Sequence, residues 1–211
     1  MNKDKVWNGI IYFFWGGIFL LSLLQLFFGS TGGFIWIVFL VFYMIAFYKI
    51  KAPKVTYLGA LIVLLLTIFG DFTPGFLNLM LYHKYFWYDK MIHLISPILF
   101  CSFFYFAFKD KVKDKKILIF FSVCILLSFE LVWEIFEYTT DHLLGTMAQG
   151  VYLYVQNATT GAMQLKQVMS PLTDTIYDML FNLIGSIVWA AGALFITRKK
   201  NYKDKSAKSP R

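Results

Sequence analysis

Long apolar stretches alternate with short polar breaks along nearly the whole chain. Six of them, at roughly 6–28, 33–50, 55–71, 90–108, 117–139 and 173–197, reach the ~17–25 residues that a helix needs to cross a bilayer. The pattern predicts an all-α polytopic membrane helix bundle of about six transmembrane helices. Gly29–Gly33 reads as a tight uncharged turn between the first two spans, and the Lys49–Lys54 break, with Pro53, separates the second from the third. The segment near 72–88 is rich in Tyr, Phe and Trp but broken by Pro74-Gly75, which predicts an interfacial or re-entrant segment. Lys109–Lys116 is a short basic loop. The longest connection, about 140–172, contains Gly145, Gly150, Gly161 and Pro171 and is expected to fold over one face of the bundle. Residues 1–197 then form a single integral membrane domain, followed by a basic disordered cytoplasmic tail, 198–211.

Composition agrees with this pattern. The chain is 59% hydrophobic and 15% charged, whereas a soluble domain is nearer half apolar and a quarter charged. The first apolar segment, Val6–Phe28, is long for a signal peptide and lacks a small-residue cleavage site, so it reads as a permanent helix. The net charge of +8 does not point to nucleic acid, because the basic residues sit in clusters between apolar segments. With the N-terminus inside, 17 of the 20 basic residues face the cytoplasm and only Lys84, Lys90 and Lys166 lie outside. The inner side nets +13 and the outer −5. This places both termini in the cytoplasm. Cys101 and Cys124 lie in separate apolar segments and read as packing residues. Asn157-Ala-Thr159 matches a glycosylation sequon, a triplet common by chance.

The outer side collects eight of the twelve acidic residues: Asp71, Asp89, Glu130, Glu134, Glu137, Asp141, Asp174 and Asp178. A charged side chain at the centre of a membrane helix costs roughly 2.5–3.5 kcal/mol even on the lenient insertion scale. Three spans carry their polar groups at i, i+4, which places them on one helix face: Asp89 with His93, Glu130 with Glu134, and Asp174 with Asp178 and Asn182. At ~1.5 Å of rise per residue from the cytoplasmic ends, His93 and Asn182 both lie roughly 22 Å deep, Glu130 and Glu134 roughly 20 and 25 Å, and Asp89 and Asp178 near 28 Å. The groups therefore share one layer. Like charges in low dielectric need compensation, and protonation, a bound cation and a water-filled cleft all remain open. Lys90 reads as facing roughly away from Asp89 and His93.

Asp89, His93, Glu130, Glu134 and Asp178 suit a divalent metal cation such as Mg2+, Mn2+ or Zn2+, with Asp174 and Asn182 as supporting polar groups and Glu130 or Glu134 as general base. The Glu-x-x-His pairs of di-iron bundles are absent from the sequence. Blander alternatives stand beside these roles. Asp89 and Asp174 each open a span and suit helix capping, and Glu137 and Asp141 suit a solvated boundary. Asn182 suits interhelical hydrogen bonding, while Gly185 and Gly192 suit close helix packing.

Asp89-Lys90-x2-His93, Glu130-x3-Glu134 and Asp174-Thr175-x2-Asp178-Met179-x2-Asn182-x2-Gly185 together resemble the YjdF-like family of multi-pass membrane proteins, and more distantly the VanZ-like family. The resemblance covers roughly residues 85–195. It implies a cell-membrane protein with a polar cluster facing outward, and the VanZ-like association with glycopeptide resistance implies a role near envelope lipids or wall precursors. It supplies no reaction. The chain departs from the VanZ-like pattern at Glu134 and at Leu172-Thr173, where that pattern has Gln and Arg-Ser.

Three functions fit these features. One is a metal-assisted enzyme acting on a lipid or lipid-linked substrate that enters sideways from the bilayer. Another is a proton- or cation-coupled transporter or ion-binding protein. The third is a non-catalytic membrane scaffold. Nothing in the sequence sets an oligomeric state.

Overall fold

A computed structural model describes residues 3–28, 32–70, 80–145, 148–157, 159 and 161–208, with the side chains of 144 and of 200 onward excepted. Asp71, Pro74-Gly75 and most of the Gly29–Gly33 turn lie outside the described residues. The chain forms α1 (Lys3–Phe27), α2 (Gly32–Lys49), α3 (Lys54–Gly70), the single turn α4 (Leu81–Lys84), α5 (Phe86–Phe108), α6 (Lys115–Leu144), strands β1 (Val151–Gln156) and β2 (Met163–Met169), and α7 (Pro171–Lys208). Among the described residues α1, α2, α5, α6 and α7 are long and apolar enough to cross a membrane, and α3 is a shorter apolar helix of 17 residues. No more than 28% of the apolar stretch of any of the five is buried inside the bundle, so most of their hydrophobic surface faces outward, as lipid contact requires.

The helices form two groups. In the first, α1, α2 and α3 enclose Ile11, Ile18, Leu40, Tyr57 and Leu61, a core without ionisable carboxylates or amines. The Tyr57 hydroxyl donates to the backbone oxygens of Ala46, at 3.2 Å, and of Ile50, tying the end of α2 to α3. In the second group α5 is central and packs on α6 and α7, and also on α3, which joins the two groups. The α5–α7 approach depends on Gly185. A Cβ there would strike the Leu94 carbonyl oxygen and lie 3.2 Å from Pro97. Gly192 faces open space, so the close packing expected at both glycines holds only at Gly185.

Two features go beyond the sequence expectation. The 140–172 connection carries an antiparallel hairpin, β1 paired with β2, with a register shift at Val151/Tyr152. Asn157 and Gly161 close its turn, Gly161 at φ +70°. α7 continues in helix to Lys208, past the expected end at 197. Of the segment near 72–88, the described part is Met80, α4 and the opening of α5.

Asp114 starts α6 as its N-cap. Its carboxylate accepts from the Ile117 and Lys116 N–H groups at 3.1 and 2.7 Å. Those two hydrogen bonds, that of Ile117 foremost, hold its pKa below the ordinary carboxylate value. A depressed folded-state pKa means that the cap's contribution is present above the unfolded-state pKa and is lost as pH falls through the lower folded value. Unfolding of the purified protein in detergent should therefore show an acid-side loss in that window, and Asp114→Ala should remove that part of the profile. A profile unaltered by the substitution would assign the acid sensitivity to other groups.

Candidate functional site

Three helices meet at the end of the second group that carries the acids. α5 supplies Asp89, Lys90 and His93, α7 supplies Asp174, Asp178 and Asn182, and α6 supplies Glu130 and Glu134. The largest correction to the sequence reading is Lys90. Its ammonium does not face away but sits among three aspartates: Asp89 Oδ2 at 2.9 Å, Asp178 Oδ1 at 2.6 Å, and Asp174 Oδ1. At ~100° per residue Lys90 starts ~60° round the helix from His93 and ~100° from Asp89, and its long stem spans the gap to α7. Part of the compensating charge for the carboxylates, one ammonium against three aspartates, is thus built into the chain next door to Asp89.

His93 is the second hub. Its Nε2 lies 3.4 Å from Asp89 Oδ1 and 3.8 Å from Asp178 Oδ1. Its Nδ1 is 3.0 Å from Asn182 Nδ2, and the same amide donates to Glu130 Oε2 at 3.0 Å. With Asn182 as donor, Nδ1 is the acceptor, and the neutral ring carries its proton on Nε2 toward the aspartates. Asn182 is fully buried, and its Oδ1 has no hydrogen-bond partner among the described residues.

Asp174 and Asp89 are not helix caps. Ser170 precedes α7 and its Oγ accepts from the Thr173 N–H at 3.3 Å, while Asp174 bonds Lys90 with one oxygen and accepts the Gly150 N–H on the other at 2.8 Å. Asp89, in the first turn of α5, is committed to Lys90 and His93. Asp141, expected to be merely solvated, accepts the Ala148 and Gln149 N–H groups at 2.7 and 2.8 Å and folds back the chain after α6. Gln149 then reaches Thr175 Oγ1 at 2.9 Å and the Glu134 carbonyl at 3.4 Å. Lys90, Gln149, Gly150 and Thr175 are the site neighbours that the sequence reading missed. For Lys90 the signal was present, as one of three basic residues set against eight acids.

Of the five residues expected to hold a metal, Asp89, His93 and Asp178 each offer one donor atom within 4.8 Å of the others. Glu130 lies on the other side of the His93 ring from the two aspartates, its Oε2 accepting from Asn182 and standing 3.9 Å from His93 Nδ1. Glu134 is buried on α6, and its Oε1 has no hydrogen-bond partner among the described residues. A buried polar line continues along α7 at four-residue spacing through Asp174, Asp178, Asn182 and Ser186. Near Ser186 lies Cys101, whose Sγ is 4.0 Å from the Ser186 hydroxyl and 3.9 Å from the Ser122 carbonyl.

The family model described as "Predicted membrane protein (DUF2238)" matches residues 8–200 of the chain. No curated protein and no solved structure matches it.

Proposed function

The chain belongs to the predicted membrane protein family DUF2238, and we propose that this multi-pass protein lies in the cell membrane with both termini cytoplasmic and holds one divalent cation between Asp89, His93 and Asp178. The cation would polarise a phosphate or ester oxygen of a lipid or lipid-linked envelope precursor arriving from the bilayer. The spacing of the three donors carries this proposal. A tetrahedral ion with ~2.0–2.1 Å bonds to oxygen and nitrogen needs donors roughly 3.4 Å apart, and the His93 Nε2 separations are 3.4 and 3.8 Å. Charge supports it as well: Asp89, Asp174 and Asp178 against Lys90 leave two negative charges in a buried place, the deficit that a divalent cation fills. Binding requires His93 to give up its Nε2 proton. Glu130, one amide away through Asn182, is placed to take part in that proton movement, and Glu134, whose Oε1 has no hydrogen-bond partner among the described residues, is the second candidate base. The resemblance of residues 85–195 to YjdF-like and VanZ-like proteins favours envelope lipids as the substrate class.

Elemental analysis of the purified protein is the direct test. About one divalent metal per chain is expected, falling at least tenfold in His93→Ala and Asp178→Asn. Glu134→Gln should keep its metal, because Glu134 stands outside the donor set. A wild-type protein that stays metal-free after incubation with Zn2+, Mn2+ and Mg2+ would sink the proposal.

Proton- or cation-coupled transport is the second reading, and the buried polar line Asp174, Asp178, Asn182 and Ser186 favours it, since polar groups buried in file along one membrane helix are what an ion or proton path needs. Under that reading metal-free protein in proteoliposomes gives a pH-dependent ion flux that Asp178→Asn abolishes.

A further inference from the structure

The opposite end of the same helix group holds a second feature, unconnected with the acidic cluster. The last turn of α5, the 109–114 loop, the start of α6 and the α7 stretch around Ile196 line a half-open cleft of about 340 Å³, within the ~300–1,000 Å³ range of ligand pockets. Its walls divide by chemistry. Phe106, Leu118 and Ile196 supply apolar surface, while Lys109, Lys113 and Lys115 supply three ammonium groups against one carboxylate, Asp110. None of the three lysines is ion-paired with a carboxylate among the described residues. Lys109 is held in place, its Nζ donating to the Lys51 carbonyl at 3.1 Å and lying 5.4 Å from the Phe106 ring centre. Lys113 and Lys115 are exposed.

A pocket with a net surplus of two positive charges, apolar on its walls and set where three apolar helices end, matches one kind of molecule. Its ligand has a phosphodiester on a hydrocarbon body. Soluble phosphate would use the lysines and leave the exposed Ile196 and the partly exposed Phe106 without a partner, whereas a zwitterionic lipid would bring a choline or amine among the ammonium groups. We propose that this cleft binds the phosphate headgroup of an anionic phospholipid, its acyl chains lying along α6 and α7. Basic pockets between transmembrane helices bind such headgroups through short-range charge attraction added to the hydrophobic contact. The site does not depend on whether the acidic cluster binds a metal, and its test reads neither metal nor turnover.

The full-length protein, purified and delipidated in a zwitterionic detergent, would be titrated with phosphatidylglycerol, phosphatidylcholine or inorganic phosphate, and bound lipid counted by native mass spectrometry. Phosphatidylglycerol should bind in preference to phosphatidylcholine. The preference should fall roughly tenfold in Lys113→Gln/Lys115→Gln, since each lysine near a lipid phosphate contributes several-fold. Lys49→Gln/Lys54→Gln, which removes the same charge from a different break, should leave it unchanged, and matching thermal unfolding of the two double variants excludes a folding defect. Equal losses in both would reduce the effect to net charge and overturn the pocket. Displacement of phosphatidylglycerol by millimolar inorganic phosphate would overturn the lipid and leave a soluble-anion site.

Discussion

Lys90→Met is expected to destabilise the purified protein by about 3–5 kcal/mol, the cost typical of removing one member of a buried ionic group. The ammonium holds Asp89, Asp174 and Asp178 together with only 8% of its side chain exposed. Without it three carboxylates from two helices face one another in low dielectric, and they must take up protons or separate. Denaturant unfolding in detergent measures the loss. Companion substitutions separate charge from volume: Lys90→Met combined with Asp174→Asn and Asp178→Asn removes the repulsion and should recover a large part of the stability, as coupled neighbours do in mutant cycles. If the triple variant is no more stable than Lys90→Met alone, the ammonium acts by packing and the electrostatic account is wrong.

Gly185→Val ranks second, with an expected loss of about 1–3 kcal/mol from overpacking. Even a methyl group at this position meets the Leu94 carbonyl oxygen, which is backbone and has no rotamer to change, and Pro97 stands on the other side. α5 and α7 would have to part, and Asn182, one turn before Gly185, would move away from His93. The measurable consequence goes beyond stability, because the variant should also lose whatever the Asp89–His93–Asp178 set binds. Gly192→Ala is the control. Its Cβ meets nothing within 4 Å, and replacing a helical glycine by alanine should be neutral or stabilising by up to about 1 kcal/mol. Equal losses at both positions would mean that the contact at Gly185 is not the cause.

Helix positions were legible because each depends on one local quantity, the length of an apolar run between polar breaks. α1, α2 and α3 begin and end within a few residues of the expected bounds. The common layer of His93, Asn182 and Glu130 was legible from helix rise alone, since depth along a straight helix is arithmetic, and the three side chains lie within hydrogen-bonding reach. Lys90 was not, because a helical-wheel angle describes where a side chain starts and not how far a four-carbon stem reaches. The hairpin was partly legible. Val151–Gln156 is rich in Val and Tyr, and Met163–Met169 alternates in part, with Asn157 and Gly161 between them, but six- and seven-residue strands carry little weight beside helices four times as long. The separation of Glu134 from the donor set depends on side-chain packing between α6 and α7, which no single-helix pattern contains.

Asp174 divides its two oxygens between Lys90 inside the bundle and the Gly150 amide at the foot of the hairpin. A single side chain is therefore shared by the ionic interior and the segment that leads into β1. Loss of that carboxylate would release the Lys90 ammonium and the Gly150 amide together, so the ionic interior and the approach to β1 have one anchor in common.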